Sequence, residues 1–211
     1  MAKLYFRYGA MGCGKTMQLL QVAFNYEERG HKVCVMKPKT DTKNGEKLLT
    51  RIGPERVTDF CFGKKDNLFE LVHKKYTKKE PVISCVLVDE SQFLTAEQVD
   101  QLMQVTTDLD IPVMAYGLRL NFRLTDGGFE GATRLLQIAH DIDEIKTICE
   151  CGRKATYNAR FLDGEFIADG PDVLIDDGSS EVEYRAICPK CYADYLKDRK
   201  QKTKNKSLDE K

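Results

Sequence analysis

The sequence has no long apolar run and no net charge, two features that mark membrane and nucleic-acid-binding proteins. No stretch reaches the about 18 apolar residues that a membrane-spanning helix needs. The N-terminus has no cationic segment followed by an apolar run, so we expect no secretory signal and a cytoplasmic location. The 33 Lys and Arg balance the 33 Asp and Glu, and no basic stripe occurs outside the C-terminal tail. We therefore expect no membrane partner and no nucleic-acid polymer as the main partner.

The order of the elements predicts an α/β fold with a small appendage. Over residues 1–146, apolar strand segments alternate with helical patterns, which is typical of a mostly parallel, doubly wound sheet. Residues 147–195 carry short extended pieces and glycine-rich turns between two cysteine pairs, and they predict a second, smaller lobe. Residues 196–211 are highly charged and low in apolar content, and we expect a frayed helix end and a disordered tail there. There are no internal repeats.

Local patterns place the elements of the first domain. A helix is predicted from Lys15 to Arg29, because its apolar residues have helical spacing and Gly30 follows as a stop signal. Thr95 followed by Gln98 predicts a capping box at the start of a helix that ends near Thr107. Further strands are predicted at 33–36, 56–61, 82–88 and 111–116, further helices at 67–76 and 131–139, and a mobile loop at 37–54.

A G-x-x-x-x-G-K-T pattern follows the first apolar strand and predicts a phosphate-binding loop. Its glycines allow the backbone N–H groups to converge on phosphate oxygens, and the helix that follows directs its positive end at the same anion. Lysine supplies a charge for the β- and γ-phosphates, and threonine supplies a hydroxyl for Mg²⁺. A glycine-rich turn without a ligand is the alternative. The predicted nucleotide-binding residues of the loop are Gly9, Ala10, Met11, Gly12, Cys13, Gly14, Lys15 and Thr16.

Two adjacent carboxylates, Asp89 and Glu90, end a buried strand pattern of the Walker B type. Asp89 is predicted to hold Mg²⁺ together with Thr16. Glu90 is predicted to be a general base near the γ-phosphate, where it activates either water or a substrate hydroxyl. The spacing does not choose between these two nucleophiles. The alternative interpretation is that both acids only cap the helix that follows.

The eight cysteines divide into four scattered residues of core type and two close pairs. The pairs are Cys149-x-Cys151 and Cys188-x-x-Cys191, and four thiolates on two short turns are typical of structural Zn²⁺. Since four thiolates leave no open position for water, we expect a structural role for this metal. A disulfide or four unrelated thiols are the alternatives.

Aromatic residues near the exit of a later strand suggest a flat pocket for an aromatic base. These are Phe93, Phe122, Phe129 and Tyr184. The alternative for each of them is ordinary core packing.

Taken in order, the motifs resemble those of the type II thymidine kinases. The matching segments begin with Gly9–Thr16 and Asp89–Phe93, continue with Tyr116–Arg119 and Phe122, and include 144–149 and 152–156. They end with Tyr184 and the Cys188–Cys191 pair, so the resemblance covers nearly all of residues 3–195.

The resemblance implies a RecA-like P-loop domain and a zinc-binding lobe that carries a lasso loop over the nucleoside. The implied reaction transfers the γ-phosphoryl group of ATP, with Mg²⁺, to the 5′-hydroxyl of thymidine or deoxyuridine, with Glu90 as the base. The resemblance also implies dTTP as a feedback inhibitor and a homotetramer. It adds Asp89 and Gln92 to the nucleotide-binding residues. The implied nucleoside-binding residues are Met11, Leu118, Phe122, Phe129 and Tyr184, and the aromatic pattern adds Phe93 to this predicted set.

The sequence departs from the family pattern at three places. Ile175-Asp176-Asp177-Gly178 stands where the family often has Ile-Gly-Gly in the lasso. Asp41-Thr42-Lys43 replaces a common Asp-x-Arg, and lysine lacks the bidentate fork of arginine, for which Arg51 could compensate. The first cysteine pair is C-x-C, where C-x-x-C is more usual.

Two other functions use the same motifs. In a nucleic-acid-dependent ATPase of RecA type, Glu90 would activate water and the cysteine lobe would contact DNA, but the charge balance argues against this function. In a non-catalytic nucleotide sensor, ATP bound at the loop would switch the cysteine lobe, but the presence of Lys15, Thr16, Asp89 and Glu90 together argues against this function. We therefore expect an ATP:thymidine 5′-phosphotransferase.

Overall fold

The computed structural model describes residues 1–40, 45–50, 52–78, 82–124, 128–170 and 181–209, with the backbone alone for 76–78 and 203–209. The chain forms two compact units. The first comprises Met1–Gly9, Gly14–Arg119 and Gly128–Ile145, and the second comprises Ala10–Cys13, Leu120–Gly127 and Lys146–Lys211. The tip of the predicted phosphate loop therefore belongs to the second unit, although its two ends belong to the first.

Helices and strands alternate through the first unit, and strands dominate the second. In chain order they are β1 (Leu4–Tyr8), α1 (Lys15–Glu27), β2 (Lys32–Pro38), β3 (Lys47–Leu49), β4 (Glu55–Val57), β5 (Phe60–Phe62), α2 (Leu68–Lys78), β6 (Ile83–Val88), a 3-10 turn (Ser91–Phe93), α3 (Ala96–Asp108), β7 (Val113–Gly117), α4 (Glu130–Ile138), β8 (Asp141–Glu144), β9 (Thr147–Ile148), β10 (Lys154–Ala155), β11 (Tyr157–Leu162), β12 (Glu165–Ile167), β13 (Val182–Ile187) and α5 (Pro189–Asp209).

The first unit is built on a six-stranded sheet in the order β5-β2-β6-β7-β1-β8. Every neighbouring pair in this sheet is parallel. The α/β class with a mostly parallel sheet is therefore confirmed. The carboxyl ends of parallel strands meet at one edge, where α/β proteins bind ligands. Gly9, Asp89 and Leu118 each follow a strand at this edge.

Side chains that alternate along the strands divide the core between the two faces of the sheet. Phe6, Met36 and Val88 pack in one apolar cluster with residues of α2, α3 and α4. Helix α1 contacts β2, β6 and β7 through a face that includes the buried residues Leu19 and Ala23. Helix α1 ends at Glu27, two residues before the predicted end at Arg29, and the turn that follows it reaches Gly30, which has a φ of 79°. The capping box of Thr95 and Gln98 on α3 is confirmed.

Four short strands differ from the sequence prediction. The expected loop at 37–54 contains β3, which pairs with β4 in an antiparallel hairpin. The strand predicted at 56–61 is divided into β4 and β5, because the side chain of Asp59 turns back to accept the N–H of Val35 at 2.9 Å. Strand β8 was not predicted, since its sequence is largely acidic. Arg7 neutralises that edge by contacting Asp141 at 3.0 Å and Asp143 at 3.1 Å.

The second unit contains an antiparallel β9–β10 pair and a three-stranded antiparallel sheet in the order β12-β11-β13. One apolar cluster includes Ala159 and Phe161 of β11, Ile187 of β13 and Tyr192 of α5. Helix α5 begins directly after Cys188 and extends to Asp209. It therefore runs through the segment for which we expected disorder from residue 196, because lysine, arginine and glutamine favour a solvated helix. Within the described residues, no helix is long and apolar enough to span a membrane.

Candidate active site

The predicted phosphate loop connects β1 to the N-terminus of α1. Gly12 and Gly14 have φ angles of 73° and 89°, which lie in a backbone region that residues with a Cβ rarely adopt. The first turn of α1 carries no acidic residue, so its positive end is available to an anion. Lys15 is buried, and its Nζ lies 3.5 Å from the carbonyl oxygen of Gly9. The local geometry suits a phosphate-binding loop.

Asp89, after β6, contacts the first turn of α1. The hydroxyl of Thr16 donates to Oδ2 of Asp89 at 2.9 Å, across 73 residues of sequence. Oδ1 of Asp89 is buried and has no hydrogen-bond partner among the described residues. Burial, followed by the charge of Glu90, raises the pKa of Asp89 to about 7. A buried carboxylate with an orphan oxygen beside a threonine hydroxyl fits Mg²⁺, a cation that prefers oxygen ligands.

Glu90 adopts a left-handed backbone conformation with a φ of 47°, which is uncommon for a residue with a side chain. The 3-10 turn that follows begins at this residue, and the N–H of Phe93 donates to the carbonyl oxygen of Glu90 at 3.1 Å. Nε2 of Gln92 donates to Oε2 of Glu90 at 2.5 Å. The backbone turn and the amide together fix the direction of the Glu90 carboxylate.

Gln92 is itself held by the end of β7. The N–H of Leu118 donates to Oε1 of Gln92 at 3.0 Å. Since a backbone N–H only donates, this bond determines which end of the amide faces Glu90. A Cβ on Gly117 would lie 2.9 Å from Oε1 of Gln92 and would overlap Oγ of Ser91. Glycine at 117 therefore leaves the space in which Gln92 bridges two strand ends. The predicted nucleotide contact of Gln92 stays a prediction.

The predicted nucleoside-binding residues fall into both units. In the first unit, Phe93 and Phe129 make an edge-to-face contact with centroids 5.7 Å apart, and Leu118 is buried. In the second unit, the ring of Phe122 lies 6.5 Å from the ring of Tyr184, also edge to face. Met11 is held through its N–H, which donates to Asn158. Each unit thus gathers its own part of the predicted set.

The four paired cysteines converge in the second unit. Their Sγ atoms all lie within 4.8 Å of one another, in the β9–β10 turn and at the start of α5. The Sγ atoms of Cys151 and Cys188 are 3.6 Å apart, too far for a disulfide of about 2.05 Å and close to the spacing of sulfurs at about 2.3 Å from one zinc ion. All four thiols are free.

Local hydrogen bonds prepare this cluster for a cation. Gly152, with a φ of 80°, lets its N–H return to the carbonyl oxygen of Cys149 at 2.8 Å. The N–H of Cys191 donates to Sγ of Cys188 at 3.4 Å. The backbone of Arg153 and the neighbouring thiols lower the pKa of Cys151 to about 6, whereas the other thiols raise that of Cys191. Four adjacent thiolates repel one another, so a bound Zn²⁺ would favour their joint ionisation.

Sequence reasoning missed two polar residues of β11, Asn158 and Arg160. Both are buried, at 3% and 1% exposure. Their alternation along a strand is the same pattern that a solvent-facing strand face produces. No local signal distinguishes the two cases. Asp41, Thr42, Lys43 and Arg51, like the lasso residues Ile175–Gly178, lie outside the described residues.

The sequence was compared with protein families and curated proteins. A family model described as "Thymidine kinase" matches residues 2–192. The chain belongs to the thymidine kinase family. A thymidine kinase of Francisella tularensis subsp. holarctica is 43% identical over 194 residues, covering 90% of this chain and 96% of that protein. One of Rhodopirellula baltica is 47% identical over 190 residues, covering 89% and 86%. One of Shewanella oneidensis is 42% identical over 201 residues, covering 94% and 100%.

Membership of the thymidine kinase family confirms the resemblance found from the motifs, and it makes the chain an enzyme of the transferase class. It favours phosphoryl transfer over the two other functions considered, a nucleic-acid-dependent ATPase and a nucleotide sensor. ATP is the phosphoryl donor that a kinase of this family implies.

Proposed function

We propose that this enzyme transfers the γ-phosphoryl group of ATP to the 5′-hydroxyl of thymidine, giving dTMP and ADP, and that it accepts deoxyuridine. Family membership supports thymidine as the substrate. The observation that carries the mechanism is the contrast between two adjacent carboxylates. Asp89 is buried against Thr16, whereas Glu90 turns away in a left-handed conformation and is fixed by Gln92.

In this mechanism each residue near the carboxyl edge of the sheet has a separate task. The loop amides and Lys15 bind the phosphates and oppose the negative charge that builds up on them. Thr16 and Asp89 would hold Mg²⁺, which supplies further positive charge at the phosphate oxygens when it is bound. Glu90 accepts the proton of the 5′-hydroxyl while the hydroxyl oxygen forms a bond to the γ-phosphorus. The bond between the γ-phosphorus and the bridging oxygen of the β-phosphate breaks, and ADP is released.

Nucleoside recognition is assigned to aromatic and aliphatic side chains, which suit the flat face of a pyrimidine. The proposed contacts of the first unit are Phe93, Leu118 and Phe129, and those of the second unit are Met11, Phe122 and Tyr184. Gln92 would serve the nucleotide site through the carboxylate that it holds. The cysteine cluster would bind Zn²⁺ in a structural role, because all four of its ligand positions are thiolates.

We also propose a cytoplasmic homotetramer that is inhibited by dTTP. A triphosphate attached to thymidine would combine the two chemical groups for which the enzyme has sites. Inhibition by dTTP should therefore be competitive with thymidine, whereas dCTP should not inhibit. Light scattering on the purified protein would report a mass about four times that of one chain if the tetramer is correct.

The decisive experiment is incubation with γ-labelled ATP, Mg²⁺ and separate nucleosides. We expect label in dTMP and dUMP, and none in dCMP or AMP. Omitting the nucleoside should leave only slow ATP hydrolysis, unchanged by single-stranded DNA. Hydrolysis that DNA stimulates, with no labelled nucleotide formed, would refute the proposed function and favour the ATPase.

A further inference from the structure

Strand β11 has a polar buried face within the second unit. Ala159 and Phe161 point into the apolar cluster with α5. Because side chains alternate along a strand, Asn158 and Arg160 share the opposite face. Both are nearly inaccessible to solvent. A buried guanidinium is costly unless the protein replaces its water contacts, so the partners of Arg160 are informative.

The guanidinium of Arg160 lies over an aromatic ring. Its central carbon is 3.8 Å from the ring centroid of Phe122, the closest cation–π distance among the described residues. Nη2 of the same group donates to the carbonyl oxygen of Asp169. A Cβ on Gly170 would lie 2.7 Å from this nitrogen. Arg160 therefore links the ring of Phe122 to the backbone at residues 169–170.

The position of Phe122 is fixed from other directions as well. Its carbonyl oxygen accepts the hydroxyl of Tyr192 at 3.0 Å, and its ring meets the ring of Tyr184 edge to face. Tyr184 is also the direct cross-strand partner of Arg160 in the β11–β13 register. The guanidinium thus contacts one proposed nucleoside-binding aromatic residue and sits opposite the other.

Asn158 fixes two further segments from the same strand face. Its Oδ1 accepts the N–H of Met11 at 2.8 Å, and its Nδ2 donates to the carbonyl oxygen of Leu120 at 3.1 Å. The two residues therefore have different partners. Asn158 bonds the backbone of Met11 and Leu120, whereas Arg160 contacts the aromatic ring of Phe122. Of these two residues, only Arg160 contacts a side chain that the base would touch.

We propose that Arg160 is a positioning residue for the nucleoside, which sets the plane of the Phe122 ring and holds the chain at Asp169 beside it. The inference rests on the proposed function, in which Phe122 and Tyr184 contact the base. Arginine suits the task because its guanidinium is planar, stacks on a ring and still donates hydrogen bonds at its edge. Lysine would preserve the charge and lose the plane.

The test compares Arg160→Lys and Arg160→Met with Arg185→Met in the zinc-loaded full-length enzyme. Arg185 is a matched control, since it lies on the same sheet and its guanidinium is 4.5 Å from the ring of Phe161. For each variant, kcat and the KM values for thymidine and ATP are measured with wild-type enzyme alongside. Zinc content and Tm report folding.

We expect both Arg160 variants to raise the KM for thymidine by on the order of tenfold or more, the scale of a desolvated cation–π contact. The KM for ATP should stay within about twofold of the wild-type value, since Arg160 holds none of the proposed phosphate-binding groups. Arg185→Met should change neither constant. A merely structural role would instead lower the amount of active enzyme and leave KM unchanged.

Three results would overturn the inference. The first is a thymidine KM in Arg160→Lys within about twofold of the wild-type value. The second is an equal rise in the KM for ATP. The third is the failure of both Arg160 variants to fold with bound zinc, which would assign the residue to stability alone. Absence of thymidine phosphorylation in the wild-type control would refute the proposed function instead, so the two failures are distinguishable.

Discussion

Replacing Gln92 with methionine should lower turnover much more than it lowers nucleotide affinity. Methionine has a similar volume and no amide, so both hydrogen bonds of Gln92 are lost while the space stays filled. The Glu90 carboxylate then loses the donor at 2.5 Å, and the N–H of Leu118 loses the acceptor at 3.0 Å. The first loss acts on catalysis, and the second acts on stability.

The magnitudes follow from the two bonds. A hydrogen bond to a charged group contributes about 1.5–3 kcal/mol, which corresponds to a roughly 10- to 150-fold decrease in kcat if Glu90 must be held in place for the transition state. A buried N–H left without a partner costs about 1–3 kcal/mol of folding free energy. The KM for ATP should change by less than about threefold, because the loop and Lys15, which we propose as the phosphate-binding groups, are unchanged.

Gln98→Met is the matched control. Gln98 is equally buried, and its amide nitrogen donates to the carbonyl oxygens of Gly63 and Asp66 at 2.8 and 3.0 Å. This variant should lose comparable stability in urea unfolding and keep its kcat. If Gln92→Met retains normal turnover, or if both variants lose turnover in proportion to stability, the positioning of Glu90 by Gln92 is refuted.

Three further predictions concern the base, the metal-binding carboxylate and the cysteine cluster. Glu90→Gln should lower kcat by roughly 10²–10⁴-fold with ATP binding retained in calorimetry, and near-normal turnover would remove Glu90 from its role. Because burial raises the pKa of Asp89 to about 7, its protonated form favours the folded state, and the metal-free protein should lose stability as the pH rises from about 4 to about 7. Thermal unfolding should show Mg²⁺ with ADP reversing this loss and Asp89→Asn abolishing it, and an equal pH slope in that variant would contradict the assignment. Cys188→Ser should abolish zinc binding measured by native mass spectrometry and expose β11 and β13 to hydrogen exchange, whereas Cys61→Ser should retain one zinc ion per chain. Retained zinc in Cys188→Ser would rule out the four-thiolate site.

Much of the fold was predictable because its signals are local. Helix α1 begins after Gly14, which has a left-handed backbone, and is followed by a turn to Gly30, while α3 begins with a capping box; these signals are visible within a few residues of sequence. The central strands β2, β6 and β7 of the parallel sheet are almost wholly buried, and most of their length is a continuous apolar run. Strand β8 escaped prediction because its acidic residues are neutralised by Arg7, which lies far away in the sequence.

In the candidate site, too, the parts with local sequence signals were predictable and the contacts between remote residues were not. The phosphate loop, the adjacent carboxylates and the cysteine pairs are contiguous motifs, and their chemistry follows from residue type and spacing. The partners of these residues are remote. Gln92 meets Leu118 across 26 residues, Thr16 meets Asp89 across 73, and Asn158 meets Met11 across 147.

By itself the sequence indicated the kinds of chemistry that we propose for this protein: a loop for phosphates, a carboxylate for a metal, a second carboxylate for a proton and thiols for zinc. Only the tertiary structure decided which polar side chains contact and orient those groups. Arg160 reads as a surface residue in sequence and is buried over Phe122 in space. The physical reason is that burial and hydrogen-bond pairing are set by whichever segments fold against a residue, and its immediate neighbours in the chain do not encode them.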